Sequence, residues 1–310
     1  MFSPDIKMAE LVEQDYTLLP VIVRMGIEGS FGEKTVREIC EMNGLDAETF
    51  LLLCSVYSIK EYVPDEETLR KARLSDILRY LHQSHDYYIN NALVSLASSI
   101  EKLIEPCSRQ QQSVIWKFFS DYKKELESHF ELEEGSVIPY VNRLMMGERQ
   151  IGFGIDSFED NHSNIEETLS DLKNIIMKSL PEQCNNRLKY NLLMFIYNLQ
   201  KDLDRHTCIE DEVMVPMVRL VEDPKSAVRS SSGKAEEEKG DDTLSEREKE
   251  ILVSVASGLL NKEIADKHNI SINTVITHRK NITRKTGIKT VAGLTVYAIL
   301  NGLIDISSVE

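Results

Sequence analysis

The chain has 310 residues, and 36 lysines and arginines stand against 51 aspartates and glutamates, which gives a formal net charge of −15. Taken as a whole, this acidity excludes a general nucleic-acid binder, because neutralisation of phosphates supplies most non-specific affinity for nucleic acids. The length predicts two or three domains. No apolar run approaches the roughly 20 residues of a membrane span, and the N-terminus has no secretory signal, so a cytoplasmic protein is expected. Five scattered cysteines without a C-x-x-C motif indicate reduced thiols.

Long helical periodicity with few glycines and prolines predicts an all-α fold. Residues 1–64 are expected to form a small helical domain, and residues 65–220 an antiparallel bundle of four long helices. Breaks between these helices are expected at Pro106, at residues 147–154 and at Pro181.

The end of the chain follows a polar stretch rich in serine, glutamate and lysine, at residues 221–243, which cannot bury apolar surface and is predicted to be a flexible linker. Residues 244–310 then form a separate C-terminal domain of four short helices. Within it, a short helix, a turn and a longer helix at residues 272–286 follow the helix-turn-helix pattern. Ser245, with Glu248 three residues later, predicts a capping box at its first helix.

Histidines and glutamates recur at inward-facing positions of the predicted bundle. One histidine lies on the apolar stripe of each helix, and two of the four are followed at i+4 by a glutamate on the same helix face. The six residues are His85, His129, Glu133, His162, His206 and Glu210. Burying them uncompensated would cost several kcal/mol per ion, so a metal or a dense hydrogen-bond network is required.

A lone inward histidine is more often a hydrogen-bonded core residue, but a set of six favours a metal site. Nitrogen and oxygen ligands suit iron or manganese and are too many for one tetrahedral zinc. If each glutamate bridges two metals, each metal keeps a position for a diatomic ligand or peroxide. The segments HFELEEGSVIP and HTCIEDEVMVP also share the pattern H-x3-E-[ED]-x4-P, which is an internal repeat.

At these residues the sequence resembles the hemerythrin-like family, and more specifically the di-iron proteins implicated in repair of iron centres. The resemblance implies two non-haem irons bridged by carboxylates, with manganese as the alternative, held by the same six residues. Glu166, four residues after His162, is either a spare ligand or a solvated helix position. His82 is either a hydrogen-bonding partner of a ligand or a residue at the rim.

The N-terminal segment resembles the small helical domain that precedes the bundle in the repair family. The paired cysteines of that family would fall near Ser30 and Phe31, and neither residue is a cysteine here. Packing or dimerisation is therefore the expected role of this segment, and repair chemistry is disfavoured.

Charge is distributed unevenly along the chain. Residues 241–310 carry nine basic and nine acidic residues, so the whole −15 belongs to residues 1–240. Residues 273–289 hold five basic residues and no acid. On helix 272–286, Val275 and Ile282 are expected to face the core of the domain. A solvated basic helix face would explain this charge, and so would a helix that contacts DNA.

The stretch TLSEREKEILVSVASGLLNKEIADKHNISINTVITHRKNITRKTG resembles the LuxR-type helix-turn-helix. The resemblance implies that the third helix enters the major groove of double-stranded DNA and that the last helix pairs two protomers in a homodimer. Thr277 and Lys280 are then expected at base edges, and Ile276 stands where many relatives carry a basic residue. The predicted DNA-binding set is Lys262, Thr274, Thr277, Lys280, Asn281, Arg284 and Lys285.

These features predict a transcriptional regulator without catalytic residues, in which the bundle is the input domain. The expected signal is oxygen, nitric oxide, peroxide or iron status. An alternative is a di-iron protein that acts in iron-centre repair or reduces nitric oxide or peroxide, with the DNA-binding domain for localisation or autoregulation. A metal-free interaction bundle is the third hypothesis.

Overall fold

A computed structural model of the chain describes residues 2–60, 62–148, 154–155, 165–181, 183–222, 244–270 and 272–304. The predicted ligand His162, the side chain of Glu166 and nearly all of the predicted linker lie outside the described residues. The described residues are helical and contain no strand, so the all-α prediction is confirmed. None of the described helices combines the length and the hydropathy that a membrane span requires.

Short helices form the N-terminal part of the chain. They are α1 (Met8–Gln14), α2 (Leu19–Arg24), α3 (Val36–Met42), α4 (Ala47–Ser58) and α5 (Glu66–Lys71). Asp46 and Asp65 cap α4 and α5, because each side chain accepts a hydrogen bond from a backbone N–H of the first turn.

Four long helical stretches follow. They are α6 (Leu74–Tyr87) with α7 (Leu93–Ile104), α8 (Arg109–Leu132) with α9 (Ile138–Met145), α10 (Ile165–Lys178), and α11 (Asn186–Ile209) with α12 (Val215–Glu222). The predicted breaks at Pro106 and Pro181 lie between them. Three of the stretches contain one π-helical turn each, at Tyr88–Ala92, Glu133–Val137 and Glu210–Met214.

Prolines explain two of the π turns. Pro139 and Pro216 each stand two residues beyond the end of a π turn, at the shared final position of the internal repeat. A proline inside a helix has no N–H to donate, and its ring clashes with the carbonyl four residues earlier. That carbonyl belongs to Gly135 or Glu212, within the π turn, where the wider turn relieves the clash. The turn at Tyr88–Ala92 precedes no nearby proline.

The C-terminal helices are α13 (Glu246–Ala256), α14 (Asn261–His268), α15 (Ile272–Thr286) and α16 (Val291–Leu300). The capping box predicted for Ser245 and Glu248 is present at the start of α13. Val275 and Ile282 have no exposed surface, as predicted from their spacing. Asn269 adopts a φ of 50° in the turn between α14 and α15, a left-handed conformation that asparagine tolerates better than most residues.

The chain divides into two compact units. The first contains residues 1–91, 128–162 and 201–232, and the second contains residues 92–127, 163–200 and 233–310. The division falls within the long helices. The predicted domain limits at residues 64, 220 and 243 therefore stay predictions.

The first unit has one continuous apolar core. Residues of the N-terminal helices, such as Met8 and Phe50, belong to the same buried cluster as Ile77 on α6 and Val141 on α9. Val213, inside the third π turn, is also a member. The N-terminal helices therefore fix the positions of the helical segments that carry the candidate ligands.

A buried ion pair joins α2 to α11 within the first unit. The Arg24 guanidinium makes a two-point contact with the Asp202 carboxylate, with 2.9 Å between Nη1 and Oδ1. Arg24 also donates to the hydroxyls of Tyr80 and Tyr88, and the Tyr57 hydroxyl donates to Asp202. Both charges are buried, so each depends on these partners.

The five cysteines are free thiols in the structure. Although their spacing suggests no pairing, the Sγ atoms of Cys107 and Cys184 lie 3.5 Å apart in the second unit. Burial, reinforced by the contact with Cys184, raises the pKa of the Cys107 thiol to about 12. Cys107 is therefore protonated and a poor nucleophile at neutral pH.

The substitution Arg24→Ala is expected to lower the free energy of unfolding by about 3–5 kcal/mol, because it leaves the Asp202 charge buried without its partner. Urea denaturation measures the loss. Arg37→Ala, which removes an exposed ion pair with Asp5, is the control and should have no resolvable effect. Equal stability of the two variants would contradict a structural role for the buried pair.

Candidate metal centre and nucleic-acid interface

Four buried side chains converge in the first unit. They are His85, Glu133, His206 and Glu210, and one possible ligand atom from each lies within 4.8 Å of the others. The histidines come from α6 and α11, whereas the two glutamates are the opening residues of their π turns. The i+4 spacing of the internal repeat, followed by the wide turn, therefore brings a carboxylate from each half of the repeat to one point.

The distances show how the groups face one another. Glu133 Oε2 lies 2.9 Å from His85 Nε2, and Glu133 Oε1 lies 2.9 Å from His129 Nε2. Glu210 Oε1 lies 3.0 Å from His206 Nε2. The Nε2 atoms of His85 and His206 are 3.1 Å apart. Glu133 thus offers one oxygen to each of two imidazoles.

Hydrogen bonding does not satisfy this cluster. Both oxygens of Glu133 are buried, and despite the short distances neither makes a hydrogen bond of acceptable geometry. The buried Nδ1 of His206 has no hydrogen-bond partner either. Buried carboxylates without hydrogen bonds are costly unless a cation compensates them. Imidazole nitrogens and carboxylate oxygens suit iron or manganese, so the residues fit a metal site.

Glu134 holds one of the candidate ligands in place. Its Oε1 lies 2.7 Å from His85 Nδ1, and its Oε2 lies 2.9 Å from His82 Nδ1. Burial opposes protonation of His85, but the close contacts with the carboxylates of Glu133 and Glu134 outweigh it and raise the pKa of His85 to about 9. The electrostatics of the cluster therefore favour positive charge. With Nδ1 bound to Glu134, Nε2 of His85 is left to face the cluster.

Aromatic rings enclose the histidines. Phe130 stacks on the His85 ring, with centroids 4.5 Å apart, and the Tyr88 and His206 rings are nearly perpendicular, with centroids 5.4 Å apart. Tyr88 is itself fixed by the hydrogen bond from Arg24. These rings limit the access of water on that side of the site and tie its geometry to the N-terminal helices.

Five of the six predicted ligands lie in or beside the cluster. Four of the six form the convergent cluster, and His129 lies against Glu133 at its side; His162 lies outside the described residues. His82 is at the rim, with 59% of its side chain exposed, and contacts Glu134 rather than the cluster. Glu134 was not among the residues predicted for the site. An acid stands at that position in both halves of the repeat, Glu134 and Asp211, and this was the available signal.

The second unit carries the predicted DNA-contacting helix, α15. The exposed members of the predicted set are Lys262, Thr274, Thr277, Lys280 and Arg284, whereas Asn281 is half-buried. Lys280 and Arg284 line an open groove together with Ile276, which is 38% exposed. These basic side chains are therefore placed where a nucleic-acid backbone could reach them.

Lys285 differs from the rest of the set. Its Nζ lies 2.7 Å from Oε2 of Glu248, the buried capping residue of α13, and only 14% of the Lys285 side chain is exposed. The geometry therefore does not support the predicted DNA contact of Lys285, because its charge is needed to balance Glu248 inside the domain. Arg279 is also engaged, since it donates to the side chain of Asn261.

The substitution Glu134→Ala is expected to weaken metal binding by about 10–100-fold, because His85 loses the group that orients its ring. Competition titration of the full-length protein with ferrous iron or manganese and a chelator measures the affinity. Glu131→Ala, an exposed acid on α8, is the matched control. Full occupancy at saturating metal is expected in both variants. Unchanged affinity in Glu134→Ala would contradict the orienting role.

Comparison with known proteins gives two family matches. Residues 73–218 match the family model described as "Hemerythrin HHE cation binding domain", and residues 242–298 match "Bacterial regulatory proteins, luxR family". The transcriptional regulatory protein MctR of Rhizobium johnstonii is 46% identical over 68 residues, which are 22% of this chain and 32% of that protein. The oxygen regulatory protein NreC of Staphylococcus aureus is 44% identical over 62 residues, 20% of this chain and 29% of that protein. The matches therefore span about a third of the length of these relatives.

The two family matches agree with the two sites. The first covers every residue of the histidine and glutamate cluster, and the second covers α13, α14 and α15. The chain is therefore a fusion of a hemerythrin-like domain with a DNA-binding domain of the LuxR type.

Proposed function

We propose that the protein is a transcriptional regulator whose bundle holds a dinuclear iron site and senses oxygen, nitric oxide, peroxide or iron status. The observation that carries this proposal is the position of Glu133, whose two buried oxygens each lie 2.9 Å from a different imidazole. A carboxylate with this arrangement is suited to bridge two cations. A LuxR-type domain in the same chain then provides the output.

The proposed ligands are the six residues His85, His129, Glu133, His162, His206 and Glu210. The convergence of four of them and the contact of His129 with Glu133 support this set. His162 is included through the hemerythrin-like resemblance. Two irons held in this way would supply open coordination positions for a small ligand. Manganese is the second choice of metal, because it accepts the same nitrogen and oxygen ligands.

The surrounding residues have separate tasks. Glu134 orients the His85 ring, and Phe130 and Tyr88 keep water from the adjacent rings. The Arg24 and Asp202 pair fixes Tyr88 and also the turn of α11 that precedes His206. A shift of α6 or α11 on ligand binding would therefore disturb the tightly packed core of the first unit.

For the output, we propose that α15 reads the major groove of double-stranded DNA. Thr277 and Lys280 lie on its exposed face and would meet base edges, whereas Lys262, Thr274 and Arg284 would contact phosphates. A homodimer would place two such helices about one helical turn of DNA apart. Binding would then depend on the geometry of the dimer.

Metal analysis tests the input site. The wild-type protein, purified without chelators, is expected to contain two irons per chain, and His129→Ala and His206→Ala are expected to lose them because each removes a ligand. His82→Ala, which changes an exposed rim histidine, is the control and should keep both irons. Unchanged iron content in both ligand variants would disprove the site. Sustained turnover of nitric oxide or peroxide by the wild type would favour the enzyme hypothesis over the sensor.

DNA binding tests the output domain. Lys280→Ala is expected to weaken binding to a selected target sequence by about 1–3 kcal/mol and to relax its specificity. Anisotropy titrations with selected and scrambled duplexes measure both effects. Lys285→Ala provides the contrast, since loss of the ion pair with Glu248 should lower the melting temperature and leave sequence preference unchanged. Unchanged affinity and specificity in Lys280→Ala would contradict the assignment of α15 as the helix that reads DNA.

A further inference from the structure

We propose that helix α10 of the bundle is a docking surface for the DNA-binding domain, and that this contact couples the metal-binding bundle to DNA reading. The contact lies entirely within the second unit, where α10 packs against α16 and the loop before it. The coupling rests on the regulatory function proposed above, whereas the docking surface does not.

Asp171, near the middle of α10, contacts the start of the last helix. Its side chain is fully buried and accepts hydrogen bonds from the backbone N–H groups of Lys289 and Thr290, each at 2.8 Å. It also accepts a bond from the Thr290 hydroxyl at 2.6 Å. Thr290 is the N-cap of α16, so a carboxylate of the bundle stabilises the positive end of that helix.

Lys178, at the end of α10, contacts the C-terminus of α15. Its Nζ donates to the carbonyls of Thr286, at 2.6 Å, and Lys285, at 3.1 Å, the last two residues of α15. Asn174, between the two charged residues on the same face, donates to the carbonyl of Gly287 at 2.7 Å. Because the C-terminus of a helix favours positive charge, α10 presents an acid and a base to matching helix ends.

The fit is also close in shape. A Cβ atom at Gly293 would lie 2.4 Å from Oδ2 of Asp171, so only glycine permits this approach of α16 to α10. Asn301, just beyond α16, donates to the Ser179 hydroxyl at 3.1 Å and extends the contact past the end of α10. Together with the matched charges, this complementarity distinguishes a specific surface from a chance contact of two polar helices.

The docked domain keeps its reading face open. Thr277, Lys280 and Arg284 remain exposed while the ends of α15 and α16 are held. In the sequence, α10 begins three residues after His162, the ligand proposed for the third long helix. A change of metal state that shifts this segment would therefore shift or release the docked domain.

Residue-resolved hydrogen exchange on the full-length protein tests the docking surface. The amides of Lys289 and Thr290 are expected to exchange slowly in the wild type and at least about tenfold faster in Asp171→Ala, because their acceptor is lost. The amide of Leu294, which bonds to the Thr290 carbonyl within α16, should change little and serves as the internal reference. Asp121→Ala, an exposed acid on α8, is the control.

Gly293→Ala perturbs the same contact by a change on α16 instead of α10. The added methyl group would displace Asp171 and would also crowd Cγ2 of the buried Ile288, 2.7 Å away, whereas α16 itself should gain helical propensity. This variant is therefore expected to accelerate exchange at Lys289 and Thr290, and an unchanged rate at the Leu294 amide would show that α16 stays folded. If these amides already exchange in the wild type as fast as in Asp171→Ala, the docking surface is disproved.

The coupling is tested by DNA affinity of iron-loaded and iron-free protein. The affinity is expected to differ between the two forms in the wild type and to become equal in Asp171→Ala and Gly293→Ala. If both variants respond to iron as the wild type does, the docking surface stands but the coupling is overturned. Failure of the regulatory function itself would be visible separately, as a wild type that binds no iron or no DNA.

Discussion

Two carboxylates buried among imidazoles impose the requirement that organises the first unit. Glu133 and Glu210 have almost no exposed surface, and charges in such a place must be compensated by cations or by hydrogen bonds. The hydrogen bonds are insufficient, since both oxygens of Glu133 have none of acceptable geometry. A bound metal cation would offset the free-energy cost of burying these carboxylates. The outer contacts of Glu134 and the rings of Phe130 and Tyr88 then keep the ligands oriented and dry.

A short sequence motif that occurs twice in the chain produces this arrangement. A histidine and a glutamate at i+4 share a helix face, and a proline six residues after each glutamate removes a backbone donor just beyond the π turn. Each glutamate therefore begins a wide turn rather than a regular one. Wide turns of this kind occur often at functional sites, where they reorient a side chain without ending the helix. Glu133 and Glu210 are placed by the same local device in two helices.

The helices and most of the proposed ligands could be predicted because both depend on spacing within one segment. The capping box at Ser245 and the buried Val275 are examples of such local information. Other features depend on residues distant in sequence, and periodicity carries no signal for them. Arg24 meets Asp202 across 178 positions, and Lys285 meets Glu248 across 37. The π turns that begin at Glu133 and Glu210 do depend on local sequence, but the prolines after them were interpreted only as part of the internal repeat.

The nature of the docking contact also fits a regulatory role. It consists of a few polar bonds at helix ends, which water can replace when the contact opens, so its net free energy is a small part of their gross strength. A ligand must favour one state by about 5.5 kcal/mol to move an equilibrium from 1:99 to 99:1. A large apolar interface would exceed what a small ligand at a metal site can supply. The contacts of Asp171, Asn174 and Lys178 are polar bonds of this replaceable kind.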